Sequence, residues 1–232
     1  MGHKPYRDRS PLDRVRTIAV IGNGAIDHRY AATIEAHDLI IRFNDCRNFQ
    51  DCATRTDVVA VCNIGRAAKK LLASPEWRNC QCVSEASEIW STRDPLILPA
   101  MKRRLADSHP DLDDLCDNHT DDFGLFCEQT KKQHVVIPQS SYEAVVLELA
   151  AYWNGSYVTP SSGVIAISGA LARFPNASIT LAGFGHEGWE GHPFSAEKLL
   201  VDTWCKTTRV MRLANPLTTI LSIDTETAVG NR

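Results

Sequence analysis

The stretch 183–197, Gly-Phe-Gly-His-Glu-Gly-Trp-Glu-Gly-His-Pro-Phe-Ser-Ala-Glu, gathers two histidines, a tryptophan and three acids among four glycines. A merely connecting loop seldom concentrates such groups, and loops on a rigid scaffold are where chemistry collects. An imidazole such as His186 or His192 titrates near neutrality and is suited to taking a proton from a hydroxyl. Trp189 would stack on a sugar ring or pack within the loop. Upstream, Thr159, Ser161 and Ser162 precede Gly163 at the start of an apolar helical pattern. Each is a potential N-cap, and the free N–H groups of a helix start would also stabilise a phosphate or a carboxylate. Near the N-terminus, Gly22-Asn23-Gly24 follows a β-branched run, and Asn44 closes the next one. Two neutral amides there would hydrogen-bond a pyrimidine, a ribose or a phosphate without adding charge, or each would cap its own turn.

Short, nearly continuous apolar runs at 17–21, 38–43, 57–62, 134–137, 178–182 and 218–223 must position these groups. Such runs suit strands buried on both faces of a parallel sheet. Between them the spacing predicts helices over 140–153, with a Ser-x-x-Glu capping box at Ser140, over 162–173, and over 196–213. Alternating elements imply an α/β fold: a single Rossmann-like, open, mostly parallel sheet flanked by helices. Residues 1–16 read as a flexible arm and 17–232 as one domain, with 84–132 a helical insertion or lid. In such a sheet, ligands sit outside the carboxyl ends of the strands at the switch point. A glycine turn at 22–24 would bring the backbone close to a phosphate there.

A length of 232 residues, 44% of them hydrophobic and 23% charged, is enough for one well-buried core. The net charge of -3 argues against a nucleic-acid partner. No apolar run approaches the roughly 20 residues of a membrane span. The eight cysteines form no zinc knuckle, and the polar N-terminus has no apolar signal region, so reduced thiols and a cytoplasmic address are expected. The Asp-x-Asp at 111–113 follows no apolar strand and reads as a solvated loop. A dinucleotide fold is disfavoured: Gly22-x-Gly24-x-x-Asp27 lacks the third glycine, and the second strand ends in Arg42-Phe-Asn44 rather than an acid.

These segments together resemble the sialyl motifs of animal-type sialyltransferases. Residues 17–57 are similar to the long motif: a strand ending Gly22-Asn23, then Ile34-Glu-Ala-His-Asp38, an apolar strand closing in Arg42-Phe-Asn44, and Arg55-Thr-Asp57. Pro160-Ser-Ser-Gly163 resembles the short motif with Ser162 in place of threonine, and Ala182-Gly-Phe184 ends its strand. His192 and Glu197, with four residues between them, are similar to the last motif, and His186 matches the third. No cysteine lies within 155–204, so the disulfide that joins the long and short motifs in animal enzymes has no equivalent.

The resemblance implies a sialyltransferase-like GT-A variant of bacterial type, acting in polysaccharide biosynthesis. It implies an inverting, metal-independent glycosyltransferase moving sialic acid or Kdo from a CMP-activated donor to a glycan or lipid-linked glycan. The partners would be a CMP-sugar and that acceptor, with no nucleic acid, at most peripheral membrane contact and no cofactor. His192 would be the catalytic base, Glu197 its support, and His186 would reach the donor phosphate. Asn23, Gly24 and Asn44 would hold the nucleotide, with Ser161, Ser162 and Gly163 near phosphate or carboxylate. A non-catalytic nucleotide-binding module and, behind it, a NAD-linked oxidoreductase are the alternatives.

Overall fold

The computed structural model describes residues 14–213. In chain order the elements are β1 (Thr17–Ile21), α1 (Ala31–Glu35), β2 (Leu39–Phe43), β3 (Val58–Val61), α2 (Gly65–Ala73), α3 (Pro75–Asn79), α4 (Gln81–Glu85) and β4 (Glu88–Ser91). There follow α5 (Leu98–Ser108), α6 (Thr120–Thr130), β5 (Gln133–Val136), α7 (Gln139–Leu149), α8 (Ser162–Arg173), β6 (Ser178–Ala182), α9 (Phe194–Thr207) and β7 (Val210–Arg212). The strands form one sheet in the order β5-β4-β3-β2-β1-β6-β7, every neighbouring pair parallel. This is the expected open α/β architecture, and its order reverses between β1 and β6, the switch point.

The strands are continuous apolar runs because both faces are covered. Ile18, Val20, Ile41, Val58, Ala60 and Trp90 pack against Val145, Leu149, Ile165, Ile167, Leu200 and Trp204 of α7, α8 and α9. The alternate residues Val59, Val61 and Ile89 face Trp77, Phe123 and Phe126 of α3 and α6. Helix α8 is buried almost all round, through Val164, Ile165, Ala166, Ile167, Gly169 and Ala170. That burial explains why its sequence, SGVIAISGALAR, carries so few polar groups.

Several expectations change. Residues 84–132 are no detached insertion, since Glu88–Ser91 is a fully paired strand between β3 and β5. Four residues flanked by serines and acids are too few to announce a strand. The helix expected over 196–213 stops at Thr207; Thr208 turns extended, its hydroxyl bonded to Trp204 O at 2.7 Å, and the chain returns as edge strand β7. Helix α7 begins after Pro138, not at Ser140, because Asp94 Oδ2 accepts from Gln139 N at 3.1 Å and so caps it from outside. The strand expected at 218–223 and most of the arm at 1–16 lie outside the described residues. A disulfide joins Cys80 and Cys82 across the α3–α4 junction, a departure from the expected reduced thiols at that pair alone; the other six cysteines are free.

Candidate functional site

Two glycine turns meet at the switch point. Gly22 N donates to Ala182 O at 2.8 Å, and Gly24 N to Gly183 O at 2.8 Å. A Cβ on Gly22 would stand 2.3 Å from Gly183 O, and Gly183 itself adopts φ +69°. The approach of one backbone to another therefore suffices to demand these glycines. Nor does the first turn open a helix: Asp27 caps a single 3-10 turn over His28–Tyr30, and α1 has only five residues. Asn48 Nδ2 completes the junction by donating to Gly22 O at 2.8 Å and Gly24 O at 2.6 Å.

Above this junction the carboxyl ends of the strands enclose a cleft of about 750 Å³. Asn23, Gly24, Asn44, Ser161, Ser162, Gly163, His186, His192 and Glu197 all line it. The structure thus brings these residues to one cleft, although most of their side chains are committed to the protein itself. Asn23 Nδ2 donates to Asp45 Oδ1 and its Oδ1 accepts from Arg47 N, each at 3.2 Å. Asn44, at φ 47°, accepts from Cys62 N at 2.8 Å through Oδ1, which ties β2 to β3. Asn44 Nδ2 has no partner among the described residues.

Two loops are laced together beside α8. Val158 N donates to Gly191 O at 2.9 Å, and Arg104 of α5 donates to Tyr157 O and Val158 O at 2.9 and 2.6 Å. His192 Nδ1 lies 2.7 Å from Thr159 O. A carbonyl only accepts, so Nδ1 carries the hydrogen and Nε2 keeps a lone pair. The edges of Trp189 and Phe194 pack on the imidazole at centroid distances of 4.9 and 5.3 Å. Burial pulls its pKa from 6.5 to about 4, the bond to Thr159 opposing and nearby Arg93 reinforcing that fall. His186, at φ 50°, accepts from Arg212 Nη2 at 2.9 Å. Burial first and Arg212 second lower its pKa to about 4 as well. Both imidazoles are neutral around neutrality, and the His186 Nε2 lone pair is occupied.

Glu197 is buried and accepts from both Ser161 N and Ser161 Oγ at 2.6 Å. Burial raises its pKa, opposed by those two bonds. It is a clamp joining the first turn of α9 to the cap of α8, with no oxygen idle. Ser161 in turn caps α8 through Val164 N at 3.4 Å.

The residue that sequence reasoning missed is Arg93, buried immediately after β4 and lining the cleft. Its signal, an arginine just beyond Ile89-Trp-Ser-Thr92, was lost with the unrecognised strand. Arg47 and Arg66 line the mouth, Arg66 paired with Asp114 at 2.6 Å. Among the described residues no cluster of three or more His, Cys, Asp or Glu side chains is placed to hold a metal ion. No helix there is long and apolar enough to cross a membrane.

No protein-family profile matches the chain. Among solved structures it is similar to a mammalian sialyltransferase, with a TM-score of 0.51 and 16% identity over 88% of this chain and 72% of that one. The mammalian sialyltransferase in complex with Gal-beta-1-3GalNAc-ortho-nitrophenol gives a TM-score of 0.50 at the same identity, over 88% and 73% of the two chains. At that identity the likeness is one of fold, and fold does not carry function. In sequence the chain is 42% identical over 200 residues to the urease operon 23 kDa accessory protein of Rhizobium meliloti (strain 1021). That match overturns the identification as a sialyltransferase. With it go the glycosyltransferase activity, the polysaccharide-biosynthesis role, and the CMP-sugar and glycan partners: short motifs in order are outweighed by identity along almost the whole length. The matched region spans 85% of this chain and 93% of the relative, and the chain belongs to the family of that urease operon accessory protein.

Proposed function

We propose that this chain is a non-catalytic accessory protein of a urease operon, acting in the cytoplasm by binding proteins of that system. The observation that carries the reading is the 42% identity to an accessory protein of such an operon, over nearly the full length of both chains. The site is compatible with it. Glu197 has both oxygens engaged and His186 Nε2 is held by Arg212. Few groups in the cleft stand idle, as suits recognition better than turnover. In this reading Asn23, Gly24, Asn44, Ser161, Ser162 and Gly163 are contact residues of a recognition cleft, His192 is a neutral hydrogen-bonding group, and no resident cofactor takes part.

The test is to delete the gene in its host and measure urease activity in extracts, with and without a restored copy. In parallel the purified chain is mixed with purified urease apoprotein and examined by sedimentation velocity. Loss of urease activity restored by the gene, together with a co-sedimenting complex, is expected. Unchanged urease activity with no complex would overturn the reading, as would release of CMP from a CMP-activated sugar by the purified chain.

A further inference from the structure

Helices α2 and α6 leave the same corner of the molecule. Gly65 N donates to Asp117 O at 2.9 Å and His119 N to Asn63 O at 3.0 Å, on either side of a bridge between Ile64 and Asn118. From there the two helices wall a groove of about 530 Å³ that shares no lining residue with the cleft. Leu72, Leu125 and Phe126 supply its apolar surface, and Arg78 of α3 lies over the Phe126 ring at 5.3 Å from its centroid. Leu125 is 53% exposed although it sits in the middle of α6. One exposed leucine is ordinary on a protein surface and carries nothing alone.

The charges beside the groove are sorted by helix. Helix α2 carries Arg66, Lys69 and Lys70 and no acid, whereas α6 carries Asp121, Asp122 and Glu128 and neither lysine nor arginine. Helix dipoles explain part of this, since Asp121 and Asp122 suit the start of α6 and Lys70 the end of α2. Arg66 in the first turn of α2 and Glu128 in the last turn of α6 run against the dipole. Among the described residues no ion pair joins the two helices: Lys69 enters none, and Asp122 meets only His119, at 2.8 Å. Lys69 and Asp122 thus line opposite walls without neutralising each other. A partner of uniform charge would be drawn to one wall and repelled by the other. A second copy, turned about a two-fold axis running along the groove, lays each basic wall on the other copy's acidic wall and matches both at once.

We propose that the α2–α6 groove is the surface through which this chain pairs with a second copy of itself. Lys69 of each copy faces Asp122 of the other, and Leu125 of each packs on Leu72 of the other. The pairing neither requires the accessory role nor is required by it. Two helix faces make a small interface, and exposed ion pairs add little each and are screened by salt, so the association is reversible and salt-sensitive.

The test is sedimentation equilibrium of the purified full chain over about a hundredfold range of concentration, at low and at high salt. The wild type should pass from monomer to dimer as concentration rises, with a dissociation constant that salt raises several-fold. Lys69→Glu and Asp122→Lys set like charges against each other and should each weaken pairing by about tenfold or more. An equimolar mixture of these two variants puts Glu against Lys and Asp against Lys across the axis, so it should associate nearly as well as the wild type. A variant that failed to fold could not regain a partner in this way. Leu125→Glu changes an exposed side chain and should also weaken pairing by about tenfold or more. A monomer at every concentration, a dimer that Leu125→Glu leaves intact, or no recovery on mixing variants whose circular dichroism matches the wild type would overturn the proposal. Binding of urease apoprotein that Lys69→Glu abolishes, by a chain that alone stays monomeric, would give the groove to that partner instead.

Discussion

His192 makes the stability of this fold depend on pH, with a sign and a size that follow from its surroundings. Burial between Trp189 and Phe194 holds its folded-state pKa at about 4, against 6.5 for a solvated imidazole. Between those values the unfolded chain binds a proton that the folded chain refuses, so stability rises with pH. The contribution is fully present above 6.5, is lost progressively as pH falls through the window, and falls no further below about 4. A displacement of that size is worth about 3 kcal/mol, at roughly 1.4 kcal/mol per pH unit, and solvent at the open edge of the ring trims it to about 2 kcal/mol. His192→Asn should remove this dependence, because the asparagine amide can still donate to Thr159 O and does not titrate. Urea unfolding of both proteins in steps between pH 6.5 and about 4 measures it. The variant should be the less stable protein at neutral pH and should close the gap by about 2 kcal/mol on acidification. His186, whose pKa is lowered likewise, and Glu197, whose raised pKa acts with the opposite sign, are present in both proteins and cancel from the difference. A gap that stays constant across the window would refute the burial argument.

Three further outcomes follow from the same geometry. Gly22→Ala should destabilise the fold by about 2–3 kcal/mol or more, read as a lower urea midpoint at unchanged slope, because the new Cβ meets the Gly183 carbonyl on a backbone that cannot withdraw. Asn44→Ala should cost about 2 kcal/mol by the same measure, through the lost bond to Cys62 N and a Cβ-bearing residue without a polar side chain at φ 47°, while Asn44→Gly should recover the backbone share. Burial pushes the Cys46 thiol up to about 12 and the Cys127 thiol up to about 11. Native-state maleimide labelling followed by peptide mass analysis should therefore modify the half-buried Cys62, Cys116 and Cys205 well before either of them.

The parallel sheet was legible in the sequence because a strand covered on both faces reads as an unbroken apolar run. Ile18–Ile21 and Ile179–Ala182 show this plainly, and Ser162–Arg173 is as clear a helix with a Ser161 cap. Where the signal is short it fails. Strand β4 offers four residues, one of them Glu88, which faces Arg173 across an ion pair of 3.3 Å. The edge strand β7 hides behind a helical pattern that ends only because Thr208 turns. Asn23, Asn44, Ser161, Ser162, His186, His192 and Glu197 were legible as cleft residues from their place at strand ends and glycine turns. Arg93 was not, because the short strand β4 that carries it to the cleft wall was not recognised.

The correction of function has a physical explanation in what the motif residues do here. Gly22 and Gly183 permit two turns to touch. Asn44 bonds the backbone of β3, Glu197 clamps the cap of α8, and His192 holds the loop at Thr159. Each ties together segments at the carboxyl end of the sheet, and the glycine turns do so across the point where the strand order reverses. A chain that keeps this sheet, this switch point and these two loops must solve the same packing problem, whichever ligand or protein it then meets. Motif order along the chain therefore follows the path of the chain through this sheet, and a match in order between distant proteins records shared architecture. Among the described residues, the groups left free after the architecture is satisfied include Asn44 Nδ2 and the Nε2 of His192. Changing those groups should alter binding and leave the fold standing, whereas changing Gly22 or Asn44 Oδ1 should do the reverse.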